Sequence, residues 1–229
     1  MLPDQAAGLR RQAHARRAIH IQCYAASPDL ARDVSGALYR LGRTTLLIDT
    51  QNRLFSDAPT RSLFNWQQQC ARGSLHLLPQ VFGDGWIAPG VVADEPALQQ
   101  VASRYDQIVF DLDPARPDAR IMPGTRCWSV LRVQGDAASI QRAYALLKTL
   151  SHKRPDLSAG LLGDAAACDR VRAACVQFLD PAFAARVYNT AQEVDAIAAL
   201  AVRMAGAETG PDVRYKLGNT VNMASKHGG

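Results

Sequence analysis

Lysine is nearly absent: Lys148, Lys153, Lys216 and Lys226 are the only ones among 26 basic residues in a chain of 229. The resulting arginine bias suits recognition of carboxylates and phosphates, although a GC-rich coding sequence produces it too. The net charge of +5 permits contact with nucleic acid or anionic lipid and points to neither, so no direct nucleic-acid partner is expected. Long apolar runs are missing, with no stretch reaching the roughly 18 residues of a membrane span. The amino terminus lacks an apolar segment ahead of a small-residue cleavage site, which argues against secretion. It is arginine-rich, as transit peptides are, but Asp4 speaks against that reading. No Cys-x-x-Cys pair occurs, and no Ser-His-Asp or Cys-His arrangement has a workable spacing. The five cysteines, Cys23, Cys70, Cys127, Cys168 and Cys175, therefore read as buried reduced thiols of a cytoplasmic protein. No metal, cofactor or catalytic residue is expected.

What remains is ordinary globular composition, 48% apolar and 21% charged, in a length that holds one α/β domain. Apolar runs predict strands at 19–24, 44–48 (ending on Asp49), 75–78, 86–88, 107–110 (ending on Asp111), 127–133, 158–162 and 185–188. Helical spacing predicts helices at 28–41 (with Gly42 as its stop), 61–71, 94–104, 136–150, 165–178 and 191–204. Strands alternating with helices of this length imply an α/β fold, a mostly parallel sheet with helices on both faces. Residues 1–17 read as a polar, alanine-rich appended helix, 18–206 as the domain and 207–229 as a loose tail. The tail contains no apolar stripe, so direct membrane attachment is not expected. His20 alternates with apolar neighbours and reads as packed. Trp66, Trp86 and Trp128 read as core or interface residues.

The wording at the strand ends resembles the MinD/ParA family of P-loop ATPases. Arg-Leu-Gly at 40–42 with Leu-Leu-Ile-Asp at 46–49 is similar to that family's "ARLG…VLLID". Tyr105-Asp106 with Ile-Val-Phe-Asp at 108–111 is similar to its "YDyviiD". The resemblance runs from residue 18 to about 206 and implies a MinD/ParA-like P-loop fold. One part of the pattern is missing. Where the family has the glycine-rich KGGVGKTT loop, whose N–H groups and lysines hold phosphate, this chain has Ala25-Ala26-Ser27-Pro28-Asp29. The loop has no glycine and no lysine, and Pro28 removes a donor. Asp29 brings a carboxylate to the helix start, where it makes a good cap and repels phosphate. A second acidic residue expected after Leu-Leu-Ile-Asp is replaced by Gln51. Asp29, Asp49, Gln51 and Asp111 are thus read as a vestigial nucleotide pocket, with Asp49 and Asp111 serving as caps of the turns that follow them. The expectation is a pseudo-ATPase.

The opening DQAAGLRR resembles the DQAxxLR motif at the amino terminus of FlhG/FleN (YlxH) regulators of flagellar number, a MinD-like family. Asp4, Gln5, Ala6, Leu9 and Arg10 match, and Arg11 follows. The resemblance implies a helix that docks on FlhF, the flagellar GTPase of the signal-recognition-particle type, and stimulates its GTP hydrolysis. It also implies cytoplasmic residence with recruitment to the cell pole by that partner, and contact with other flagellar or transcriptional regulators. Two other readings stay open: a working ParA/MinD-like positioning ATPase with an aberrant loop, and a MinD-like scaffold of a cellulose or pilus secretion machine.

Overall fold

The computed structural model describes residues 18–49, 53, 77–79, 105–115 and 126–206. Its elements are β1 (Ile19–Tyr24), α1 (Asp29–Arg40), β2 (Thr45–Asp49), β3 (Leu77–Pro79), β4 (Gln107–Leu112), β5 (Cys127–Val133), α2 (Ala137–Lys153), β6 (Ser158–Gly163), α3 (Ala165–Phe178), α4 (Pro181–Ala184), β7 (Val187–Asn189) and α5 (Ala196–Gly206). The strands form one sheet in the order β3-β2-β4-β1-β5-β6-β7. Every described pairing is parallel. The fold class is the one expected from the sequence.

Parallel strands buried on both faces need apolar side chains in both directions. β1, β2 and β4 are accordingly buried at every position. On one face Ile19, Ile21, Val109 and Val130 pack under α1 (Leu30, Val34, Leu38) and α5 (Leu200, Met204). On the other, Ile108, Phe110, Leu131 and Leu161 pack under α2 (Leu146, Leu147, Leu150), α3 (Cys168, Val171, Cys175) and Phe183 of α4. Each such side chain contributes roughly 1.5–3 kcal/mol by leaving water. Trp128 belongs to the α1/α5 face and stacks on Tyr188, their ring centroids 5.5 Å apart.

Helix ends follow short polar signals. Asp136 accepts from Ser139 N–H at 2.8 Å and Asp164 from Ala167 N–H at 2.8 Å. Asp180 caps α4, whose first residue is Pro181. Each cap stabilises its helix by about 1 kcal/mol. The last helix begins at Ala196, five residues later than its apolar spacing predicts. Asp195 explains the delay: its carboxylate accepts from Ala198 N–H at 2.9 Å, while residues 191–195 form turns. After α1, Gly42 adopts φ +75°. Its N–H bonds Tyr39 O at 2.9 Å and that of Arg43 bonds Leu38 O at 3.1 Å, a Schellman stop that favours glycine. α4 was not anticipated, β4 runs two residues further than expected, and β7 starts two residues later. The helices expected at 61–71 and 94–104, the strand at 86–88, the appended helix 1–17 and the tail 207–229 lie outside the described residues.

A polar strip runs inside the apolar layer. Tyr24 Oη donates to Gln22 Oε1 at 2.9 Å, and both residues are buried. His20 is 1% exposed and sits edge-on to Phe110. Burial, aided by the charge of Arg154, lowers its pKa from 6.5 to about 4. A base whose pKa is depressed by folding adds stability above its unfolded value, and that contribution is lost as pH falls through the folded one. His20 should therefore remove roughly 3 kcal/mol between pH 6.5 and about 4. Urea midpoints measured across that window should fall more steeply for the native chain than for His20→Leu. Parallel slopes would show that His20 does not carry the acid sensitivity.

Candidate functional site

At the carboxyl end of the sheet, adjacent β2 and β4 place Asp49 beside Asp111 in register. Both are effectively buried, at 0% and 1% exposure. Two carboxylates cannot be sealed this way without a compensating charge or donors. Arg53 supplies them. Its backbone N–H donates to Asp49 Oδ1 at 3.0 Å. Its guanidinium grips Asp111 with two bonds, Nη2 to Oδ1 at 2.6 Å and Nε to Oδ2 at 3.1 Å. The remaining donor capacity goes to the loop after β1: Nη1 reaches Ala26 O at 2.6 Å, and Nη1 and Nη2 each reach Ala25 O at 3.2 Å. One arginine thus ties the ends of β1, β2 and β4 together. Burial pushes the Asp111 carboxyl above its usual range, and the bonds from Arg53 offset part of that shift.

The start of α1 is organised differently. Pro28 occupies the cap position in helical conformation and makes no side-chain cap. Ser27 Oγ accepts from Asp29 N–H at 3.2 Å and donates to Asp29 Oδ2 at 2.5 Å. The other Asp29 oxygen takes Arg32 Nη2 at 2.5 Å. The Ser27 bond, then Arg32, keeps this carboxyl below the usual range. The loop therefore turns two carbonyl oxygens toward a cation on one side and holds an internal carboxylate at the helix start. Nearby Cys23 is buried and its thiol is pushed well up by burial and by Asp111, which leaves it unreactive. Cys168 and Cys175 are likewise raised, to about 12 and about 11, by burial. Among the described residues no group of His, Cys, Asp and Glu could hold a metal ion, and no helix is long and apolar enough to cross a membrane.

One expectation needs correction. Asp29 does not cap α1; its oxygens face a serine hydroxyl and an arginine because it is already the first helical residue. Asp111 is also half of an ion pair, since burial at a strand end demands a counter-charge. Asp49 does accept a backbone N–H from just beyond its strand, that of Arg53. Gln51 and the motif residues Asp4, Gln5, Ala6, Leu9, Arg10 and Arg11 lie outside the described residues. Arg53 was missed. The only signal for it in the sequence was indirect: two acidic strand ends with no lysine nearby require a cation from somewhere.

No protein-family profile matches the chain, and no curated protein matches it. Solved structures do. The MinC:MinD cell division protein complex of Aquifex aeolicus is 15% identical over 86% of this chain and 99% of that chain, with a TM-score of 0.44. A ParA family ATPase from Chlorobium tepidum TLS is 15% identical over 82% of this chain and 92% of its own, with a TM-score of 0.47. The MinD cell division protein of Aquifex aeolicus is 13% identical over 83% and 90%, with a TM-score of 0.44.

Arg53→Ala leaves a buried carboxylate without its cation and should cost about 3 kcal/mol at neutral pH. Asp111→Asn in the same chain should recover part of that loss, so the double variant is less destabilised than the two single effects added. The pH dependence has a defined sign. Without Arg53 the Asp111 pKa rises further, and a carboxyl raised by folding favours the folded state most when protonated. The stability gap between native chain and Arg53→Ala should therefore narrow as pH falls toward 3.8. Simple additivity in the double-variant cycle would dismiss the coupling.

Proposed function

We propose that this chain is a regulatory binding protein on a MinD/ParA-like scaffold, with no ATPase activity of its own. The observation that carries this reading is the Arg53 guanidinium bonded to Ala25 O, Ala26 O and Asp111. A phosphate loop works by aiming N–H donors and lysine at an anion. Here the corresponding segment offers acceptors to a cation, and its first helical residue is an aspartate. The charges that nucleotide and Mg²⁺ would contribute are supplied by the protein itself.

The resemblance of Asp4, Gln5, Ala6, Leu9 and Arg10 to the FlhG/FleN motif supports the choice of partner. In this reading residues 1–17 dock as a helix on the flagellar GTPase FlhF. Leu9 and the alanines fill a shallow groove, Gln5 reaches a water or phosphate, and Arg10 and Arg11 meet acidic surface. The protein works in the cytoplasm and is brought to the cell pole by its partner, where the domain surface engages further flagellar or transcriptional regulators.

Two measurements test the two halves. A nucleotide site with a Kd of roughly 10 μM would add about 2.7 kcal/mol at about 1 mM Mg-ATP, raising the melting temperature by roughly 5–10 °C. No rise is expected, and a rise of that size would refute the nucleotide-free reading. A peptide of residues 1–17, and the whole chain, should accelerate GTP hydrolysis by FlhF, and Gln5→Ala or Leu9→Asp should abolish the effect. Absence of stimulation by the whole chain would remove FlhF as the partner.

A further inference from the structure

β1 leads through α1 to β2, on one side of it in the sheet, while β5, its neighbour on the other side, leads through α2 to β6. α1 and α2 cover opposite faces, so the chain leaves β1 and β5 in opposite directions. Open parallel sheets form their ligand crevices at such a divergence, outside the carboxyl ends of the strands. A half-open cleft of about 190 Å³ occurs there, between the loop after β1 and the start of α2. Arg53 lies against the same loop but does not line the cleft, so the two features are separate.

The walls of the cleft differ in character. Tyr24, Leu131 and Leu146 line it and are 1%, 2% and 4% exposed, which makes an apolar floor. Arg132 and Arg142 also line it. Arg142 has no hydrogen bond or ion pair with any described residue. Arg132 has one loose ion pair, 3.7 Å to Asp33, beyond hydrogen-bond distance. Arg142 therefore borders this small cleft without a protein acceptor, and Arg132, whose charge also acts on Asp29, borders it with only the loose Asp33 pair; each guanidinium is a planar fork of five N–H donors. Ser139, one turn before Arg142 on the same face of α2, is buried and lines the cleft as well. Its Oγ accepts from Gln134 N–H at 2.9 Å, which leaves the hydroxyl proton to be donated.

We propose that this cleft binds a small organic oxyanion, a carboxylate or phosphate ester on a ring-sized apolar body. Arg132 and Arg142 clamp the anion, Ser139 Oγ donates a third bond, and Tyr24, Leu131 and Leu146 receive the body. The size follows from the volume, since an apolar cavity of about 150 Å³ holds benzene. The charge follows from the forked donors, which match carboxylate and phosphate oxygens in pairs. The site does not depend on the regulatory reading and would stand if that reading failed.

Benzoate and phenyl phosphate are suitable probes of the whole native chain, followed by thermal shift and by calorimetry. At least one should stabilise the chain at about 10 mM, and whichever binds tighter identifies the oxyanion. Benzyl alcohol, which has the body without the charge, and inorganic phosphate, which has the charge without the body, should each bind at least about tenfold more weakly. Arg142→Ala should keep the unliganded melting temperature, because Arg142 is exposed and unpartnered, and should weaken the better probe at least about tenfold. Arg132→Met, which keeps an apolar stem and gives up the loose pair with Asp33, should also weaken the better probe at least about tenfold. Failure of both probes to bind, equal binding of benzyl alcohol, or undiminished binding by Arg142→Ala would each overturn the proposal.

Discussion

The carboxyl end of this sheet is organised around one charge problem. Parallel pairing of β2 and β4 sets Asp49 and Asp111 side by side, and the covering layers exclude them from water. A buried carboxylate without a partner costs several kcal/mol, more than the surrounding turns could recover. Arg53 resolves the problem by meeting Asp111 with its side chain and Asp49 with its backbone. Having done so, it has donors left over, and these draw the carbonyl oxygens of Ala25 and Ala26 inward. The conformation of the β1 loop follows from that demand. A loop whose acceptors face a guanidinium is poorly suited to hold an anion in the same place.

The opposite side of the same loop has the opposite polarity. Asp29 is neutralised locally by Ser27 and Arg32, and Asp33 only loosely restrains Arg132. Cation is in excess there, on the β5 side, where Arg142 is unpartnered and the floor is apolar. The loop thus divides a closed, self-neutralised joint from an open, arginine-bordered cleft. The stability of the first keeps one wall of the second in position. Function on this scaffold is argued from these contacts, because a parallel α/β sheet hosts many activities.

Much of the fold was legible in the sequence, and the reasons can be given element by element. β5 and α3 fall where their apolar patterns place them, since each buries a full face against the sheet. Asp136 and Gly42 mark helix ends because their effects are local: a carboxylate beside free N–H groups, and a residue without Cβ at positive φ. The last helix was misplaced because the apolar pattern of residues 191–195 outweighed the cap signal of Asp195. The candidate site was only partly legible. Asp49 and Asp111 could be located at strand ends, but their counter-charge could not. Arg53 lies 58 residues from Asp111 in sequence, and no periodicity links them.

Sequence alone determined the class of fold, the covering of both faces of the sheet, and the absence of glycine and lysine from the loop after β1. These depend on periodicity and residue type, which act over a few neighbouring positions. Tertiary structure alone decided what that loop contacts. Which cation meets Asp111, which way the Ala25 and Ala26 carbonyls turn, and whether Arg132 and Arg142 border one cleft all depend on strand order. Strand order brings together residues far apart in the chain, and electrostatics in a low-dielectric interior responds to distance in space, not to separation in sequence.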